Sequence, residues 1–76
     1  MMDIGQAINA MRGGERVARP AWNGKGMWLA IEEPGTGSSM DLPFIYIKPP
    51  DGRRVPWFAS QMDLLAQDWQ VVGRDE

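Results

Sequence analysis

Residues 27–33 (MWLAIEE) and 42–48 (LPFIYIK) alternate strictly, and apolar side chains fall on both of their faces. A period of two is the signature of a β-strand. Met27, Leu29, Ile31, Ile45 and Ile47 share one face, while Trp28, Phe44 and Tyr46 fall on the other. A sheet with two apolar faces needs a cover on each. The chain has 76 residues, and its one substantial helical pattern can cover only one face. The aromatic face is therefore expected to meet a second subunit or a ligand, since large exposed apolar patches mark interaction surfaces.

The helical pattern lies at the N-terminus. Asp3 and Gln6 have capping-box spacing, and Ile4, Ala7, Ile8 and Met11 recur on one face. This predicts a helix over about 4–12, stopped by Gly13-Gly14. Arg16–Arg19 reads as a short strand ended by Pro20. Asn23-Gly24 reads as a tight turn, with Gly24 and Gly26 supplying positive φ before the strand at 27–33. The Gly-, Ser- and Pro-rich stretch 33–41 is expected to be a loop. Strands over 42–48 and 53–58 are expected to form a hairpin closed by the PPDG turn at 49–52. Pro56 suggests that the second of these is an edge strand or carries a bulge. Ser60 followed by Asp63 opens a short helix, 61 to about 66, with Leu64 and Leu65 expected to pack inward. Trp69–Val72 is the closing strand, with Trp69 in the core and a polar tail after it. The expected fold is one α+β domain over 1–76: a small antiparallel sheet with an N-terminal helix and a short C-terminal helix, in a homo-oligomer.

Composition narrows the chemistry. Eight Lys and Arg against ten acids give a net charge of −2, which argues against polymeric nucleic acid as a partner. No apolar run is long enough to span a bilayer, so no membrane partner is expected. The start MMDIGQAINA has no basic stretch and carries Asp3, unlike a signal peptide, so the expected location is the cytoplasm. Histidine and cysteine are both absent. That removes the usual general base near neutral pH, the usual nucleophile pairs and the best zinc ligands. No metal, cofactor or catalytic residue is expected, and binding is favoured over catalysis. A chain this short buries only about 60% of its unfolded surface, which also points to oligomerisation.

Two constellations suit a small ligand. In WNGKG (22–26), Trp22 offers a stacking face, Asn23 an amide and Lys25 a charge, although a plain turn also accounts for three of the five residues. In VPWFASQMDLLAQDW (55–69), Trp57 stands beside Ser60, Gln61 and Asp63 at a helix start. Asp63 either caps that helix or accepts a sugar hydroxyl; it would repel a phosphate there. Four tryptophans suit base stacking, worth roughly 1–3 kcal/mol per base. The candidate cations for one or two phosphates are Arg19, Lys25, Arg53 and Arg54, with Arg53 and Arg54 equally explicable as edge-strand charge.

Together, WNGKGM (22–27) and VPWFASQMDLLAQDW (55–69), after a capped helix ending MRGGERVAR (11–19), resemble the small phage and prophage proteins of the second Thoeris anti-defence type. The resemblance covers about residues 2–72. Pro20-Ala21 stands before Trp22 where related sequences have a Gly-containing turn, and the 34–41 loop is short, which affects the pocket rim. The resemblance implies a homotetramer that binds glycocyclic ADP-ribose, the signal made by TIR enzymes of the bacterial Thoeris system. It implies that the signal is held uncleaved, in pockets between protomers, so that the effector is not activated. For some members it also implies binding of cyclic di- or trinucleotide signals of the CBASS system at a separate site. On this basis Trp22 and Trp57 are the expected stacking walls, with Asn23, Ser60, Gln61 and Asp63 as polar contacts. Arg19 and Lys25 are the expected pyrophosphate partners, and the host cell's cytoplasm is the expected setting. The rivals are a protein-binding inhibitor module and an enzyme that degrades the signal.

Overall fold

The computed structural model describes residues 1–34, 41–48 and 53–73, with residues 23–25 described by their backbone alone. The expected loop and turn at 35–40 and 49–52, and the tail at 74–76, lie outside the described residues. Helix α1 spans Ile4–Arg12, and both bonds of its capping box form. The Gln6 N–H donates to Asp3 Oδ1 at 2.8 Å, and the Asp3 N–H donates to Gln6 Oε1 at 2.9 Å. At the other end only Gly14 takes a positive φ, of 95°; Gly13 caps the helix at φ −85°.

Five strands follow: β1 (Arg16–Ala18), β2 (Trp28–Glu32), β3 (Phe44–Lys48), β4 (Val55–Pro56) and β5 (Gln70–Val72). They form one antiparallel sheet in the order β4-β3-β2-β1-β5. Pro56 lies on an edge strand, as its missing N–H requires. That strand is two residues long rather than six, and beyond it the Trp57 N–H still donates to the Ile45 carbonyl at 3.0 Å, in register with the pairing of Pro56 and Tyr46. The chain's first residues are tied in by an antiparallel bridge between Met2 and Trp69.

The two faces separate as the alternation predicts. Ala7 and Met11 of α1 cover Val17, Leu29 and Trp69, with Ile31, Ile45 and Ile47 packed around them. The other face holds Ala18, Trp28 and Tyr46, with Phe44 and Val72 beside them. The chain's own residues already bury much of this face: Trp28 and Tyr46 are 7% and 6% exposed in the single chain. Trp22 and Ala30 also pack there, and long cationic side chains lie over the rings. The Arg16 guanidinium lies 4.2 Å from the Trp28 ring centroid, with the Lys48 ammonium at 5.8 Å. The Arg54 guanidinium lies 4.8 Å from the Tyr46 ring and donates to Glu32 Oε1 at 2.8 Å. Such side chains lay their stems on apolar surface while the charged head meets the ring face.

Candidate ligand site

The two constellations chosen from the sequence sit on unlike backbones. Residues Pro20–Lys25 form a 3-10 helix, not a tight Asn-Gly turn. Pro20 presets its first φ, and the Trp22 N–H donates to the Arg19 carbonyl at 2.8 Å. Gly24 lies inside this helix, and Gly26 alone provides the left-handed exit, at φ 66°. The second constellation runs from β4 into helix α2 (Gln61–Leu65), where Ser60 Oγ accepts the Asp63 N–H at 3.1 Å. Ser60 and Gln61 are exposed at that helix start.

Trp69 joins the two segments. It is fully buried, and Trp22 meets it edge-on at 5.3 Å and 87°. Trp57 meets it at 5.9 Å, also at 87°. Edge-to-face geometry at these distances is the favoured arrangement for aromatic pairs. Trp22 and Trp57 are each only partly buried after packing on the shared indole. The Trp69 Nε1–H donates to the Asp63 carbonyl at 3.1 Å, which docks α2 on the same ring.

Arg19 joins them a second time. Its Nε–H donates to Asp68 Oδ1 at 2.8 Å, Nη1–H to Asp63 Oδ1 at 3.0 Å and Nη2–H to Asp68 Oδ2 at 3.4 Å. The hydrogen bond from Asp68, then that from Asp63, raises the Arg19 pKa further above its ordinary value. Helical spacing would hold Asp63 and Asp68 apart. They meet on one guanidinium because α2 stops at Leu65 and Ala66 is extended, with ψ 150°, so the chain turns back. Sequence reasoning missed Asp68. The pairing spans 49 residues, and no local pattern signals it.

Of the residues selected from the sequence, Arg19, Trp22, Trp57 and Asp63 therefore come together around Trp69, with Ser60 and Gln61 at the start of α2. Asn23 and Lys25 lie on the 3-10 helix beside Trp22, with their side chains outside the described residues. Leu64 and Leu65 do not pack inward: both are exposed, because Asp63 occupies the inward side of α2. A separate cleft of about 360 Å³ opens beside α1, lined by Ile8, Arg12, Ile31, Glu33 and Ile45 among others. None of the selected residues lines it.

The family match takes in both the tryptophan-bearing 3-10 helix and the start of α2. The model of the Thoeris anti-defense 2-like domain matches residues 2–72. The chain belongs to that family. Thoeris anti-defense 2 of Bacillus phage SP01 is 33% identical over 84 residues, covering 93% of this chain and 94% of the relative. Membership in the Thoeris anti-defense 2-like family places the chain among inhibitors of Thoeris defence. Among the described residues, no helix is long and apolar enough to cross a membrane.

Proposed function

We propose that this Thoeris anti-defense 2-like protein acts in the host cell's cytoplasm as an oligomeric sponge, a homotetramer, which binds glycocyclic ADP-ribose and holds it unchanged. The observation that carries the proposal is the meeting of the two constellations on Trp69, with Trp22 and Trp57 each partly exposed beside it. Two aromatic faces with amide and hydroxyl groups nearby suit a base and its ribose. Ser60, Gln61 and Asn23 supply those polar groups. Asp63 keeps the ribose-hydroxyl role through whatever acceptor capacity Arg19 leaves it. Arg19 itself has its fork filled by Asp63 and Asp68, so it acts as the brace that holds the two segments together. The pyrophosphate contact then falls to Lys25. A further site for cyclic di- or trinucleotides, apart from this one, belongs to the same proposal.

The absence of histidine and cysteine supports capture over chemistry, since the usual bases and nucleophiles near neutral pH are missing. The test is a titration of the protein with glycocyclic ADP-ribose, followed by tryptophan fluorescence and by calorimetry. Saturation at a fixed ratio of ligand to subunit, with Trp22 and Trp57 emission changed, is the expected result. No heat and no spectral change at micromolar concentration would reject the ligand and leave the protein-binding inhibitor module.

A further inference from the structure

We infer that Arg16 and Lys48, drawn together over Trp28, form an anion site for the phosphate group of a small phosphorylated molecule. The site lies on the sheet face away from α1. It uses neither the polar contacts nor the Arg19 brace assigned above, and it does not rest on the signal reading.

Strand order builds it. Strand β2 runs between β1 and β3. Val17 packs in the core that α1 covers, so by the period of two its neighbour Arg16 turns to the other face. Lys48 stands directly opposite Trp28 on β3. Each flanking strand thus sends a long cation to one indole, the Arg16 guanidinium at 4.2 Å from the ring centroid and the Lys48 ammonium at 5.8 Å. Both fall within the about 6 Å at which a cation engages a ring. The indole is fixed beneath them, buried with Ala18 and edge-on to Tyr46 at 5.9 Å.

Arg54 gives a comparison within the molecule. It lies over Tyr46 on the same face at 4.8 Å, and Glu32 answers its charge at 2.8 Å. Covering a ring is therefore compatible with a neutral pair. Arg16 and Lys48 have no such acid: among the described residues, no carboxylate forms an ion pair with either. Two like charges share the weak negative face of one ring. Both side chains are half-buried, where water screens their repulsion less than at an open surface. A chain of net charge −2 thus keeps two unanswered cations at one spot, and an anion between them answers both.

The donors select phosphate. A guanidinium offers a planar fork of N–H groups, and an ammonium is a compact charge with three donors. A phosphate monoester carries nearly two negative charges and three strong acceptor oxygens, enough for the fork and the ammonium at once. A carboxylate, with one charge and two oxygens, leaves one cation unanswered. The acidic balance of the whole chain disfavours a nucleic-acid polymer, so the phosphate belongs to a small molecule.

The test titrates the full chain with inorganic phosphate, adenosine monophosphate and acetate at constant ionic strength, followed by nitrogen–proton NMR. Both phosphates should shift the Arg16 Nε–H and Trp28 Nε1–H signals saturably, and acetate should not. Tighter binding of the nucleotide identifies an organic phosphate as the occupant, and equal binding identifies the free ion; either order supports the site. Arg16→Gln and Lys48→Gln should each weaken phosphate binding by about tenfold or more. Arg54→Gln removes a cation already paired with Glu32 and should leave that affinity unchanged. No saturable shift at millimolar phosphate, an equal response to acetate, or unchanged affinity in both Arg16→Gln and Lys48→Gln would each overturn the inference. Should a variant lose its circular dichroism, the wild-type titration alone decides. Uptake of glycocyclic ADP-ribose is read separately through Trp22 and Trp57. Phosphate binding without that uptake counts against the signal reading alone, and uptake without phosphate binding counts against this site alone.

Discussion

Replacing Trp69 with Phe should remove the hub of the site while keeping an aromatic ring in the core. The indole is fully buried and touches both Trp22 and Trp57 edge-on. Phe leaves roughly 40 Å³ unfilled, which at about 24 cal/mol per Å³ costs about 1 kcal/mol. The bond from Nε1 to the Asp63 carbonyl is lost, at about another 1 kcal/mol. That carbonyl is not orphaned, since the Ala66 N–H also donates to it at 3.4 Å, so the larger penalty for an unpaired group does not apply. Weakened edge contacts add about 0.5–1 kcal/mol. The total is about 2–3 kcal/mol, from a stability of about 4–11 kcal/mol expected for a chain of this size. Urea unfolding should show a lower midpoint with an unchanged slope. The melting temperature should fall by roughly 10–20 °C. A loss below about 0.5 kcal/mol would refute the claim that Trp69 ties the two segments together.

Three further outcomes follow from the same geometry. Trp22→Ala and Trp57→Ala should each weaken ligand binding by roughly 1–3 kcal/mol in calorimetry. Each should also lower the unfolding midpoint, because both rings pack on Trp69; unchanged affinity would make them purely structural. Asp68→Asn separates two roles for Arg19: a brace predicts weaker ligand binding when Asp68 lets go, whereas a direct phosphate contact predicts equal or tighter binding from a freed guanidinium. Gly26→Ala should cost about 1 kcal/mol in urea unfolding, from the positive φ alone, since an added Cβ would meet nothing within 4 Å; a neutral result would mean the 3-10 helix ends differently.

What could be read from the sequence was what local spacing controls. The capping box of α1, the two-faced alternation of β2 and β3, the edge position of Pro56 and the Ser60 cap all depend on residues a few positions apart. Two aspects escaped. The burial that the single chain already gives the sheet's aromatic face was one, because alternation places rings but says nothing of Arg16, Lys48 and Arg54 reaching across strands to lie on them. Leu64 and Leu65 were expected inside, because apolar residues on a short helix ordinarily turn to the core. Arg19, 44 residues from Asp63, fixes the helix the other way round. At the site, the sequence singled out Trp22 and Trp57 as stacking walls and placed Trp69 in the core, where it is fully buried. That all three share one cluster follows only from the tertiary fold.

The central claim is capture without chemistry, and one mass-balance measurement tests it most directly. A fixed amount of glycocyclic ADP-ribose is mixed with increasing protein, free signal is quantified over time, and the protein is then denatured by heat. The account predicts that free signal falls in proportion to added protein, stays constant with time and returns with unchanged mass on heating. Continued loss of signal beyond the binding ratio, with a new product accumulating, would contradict it.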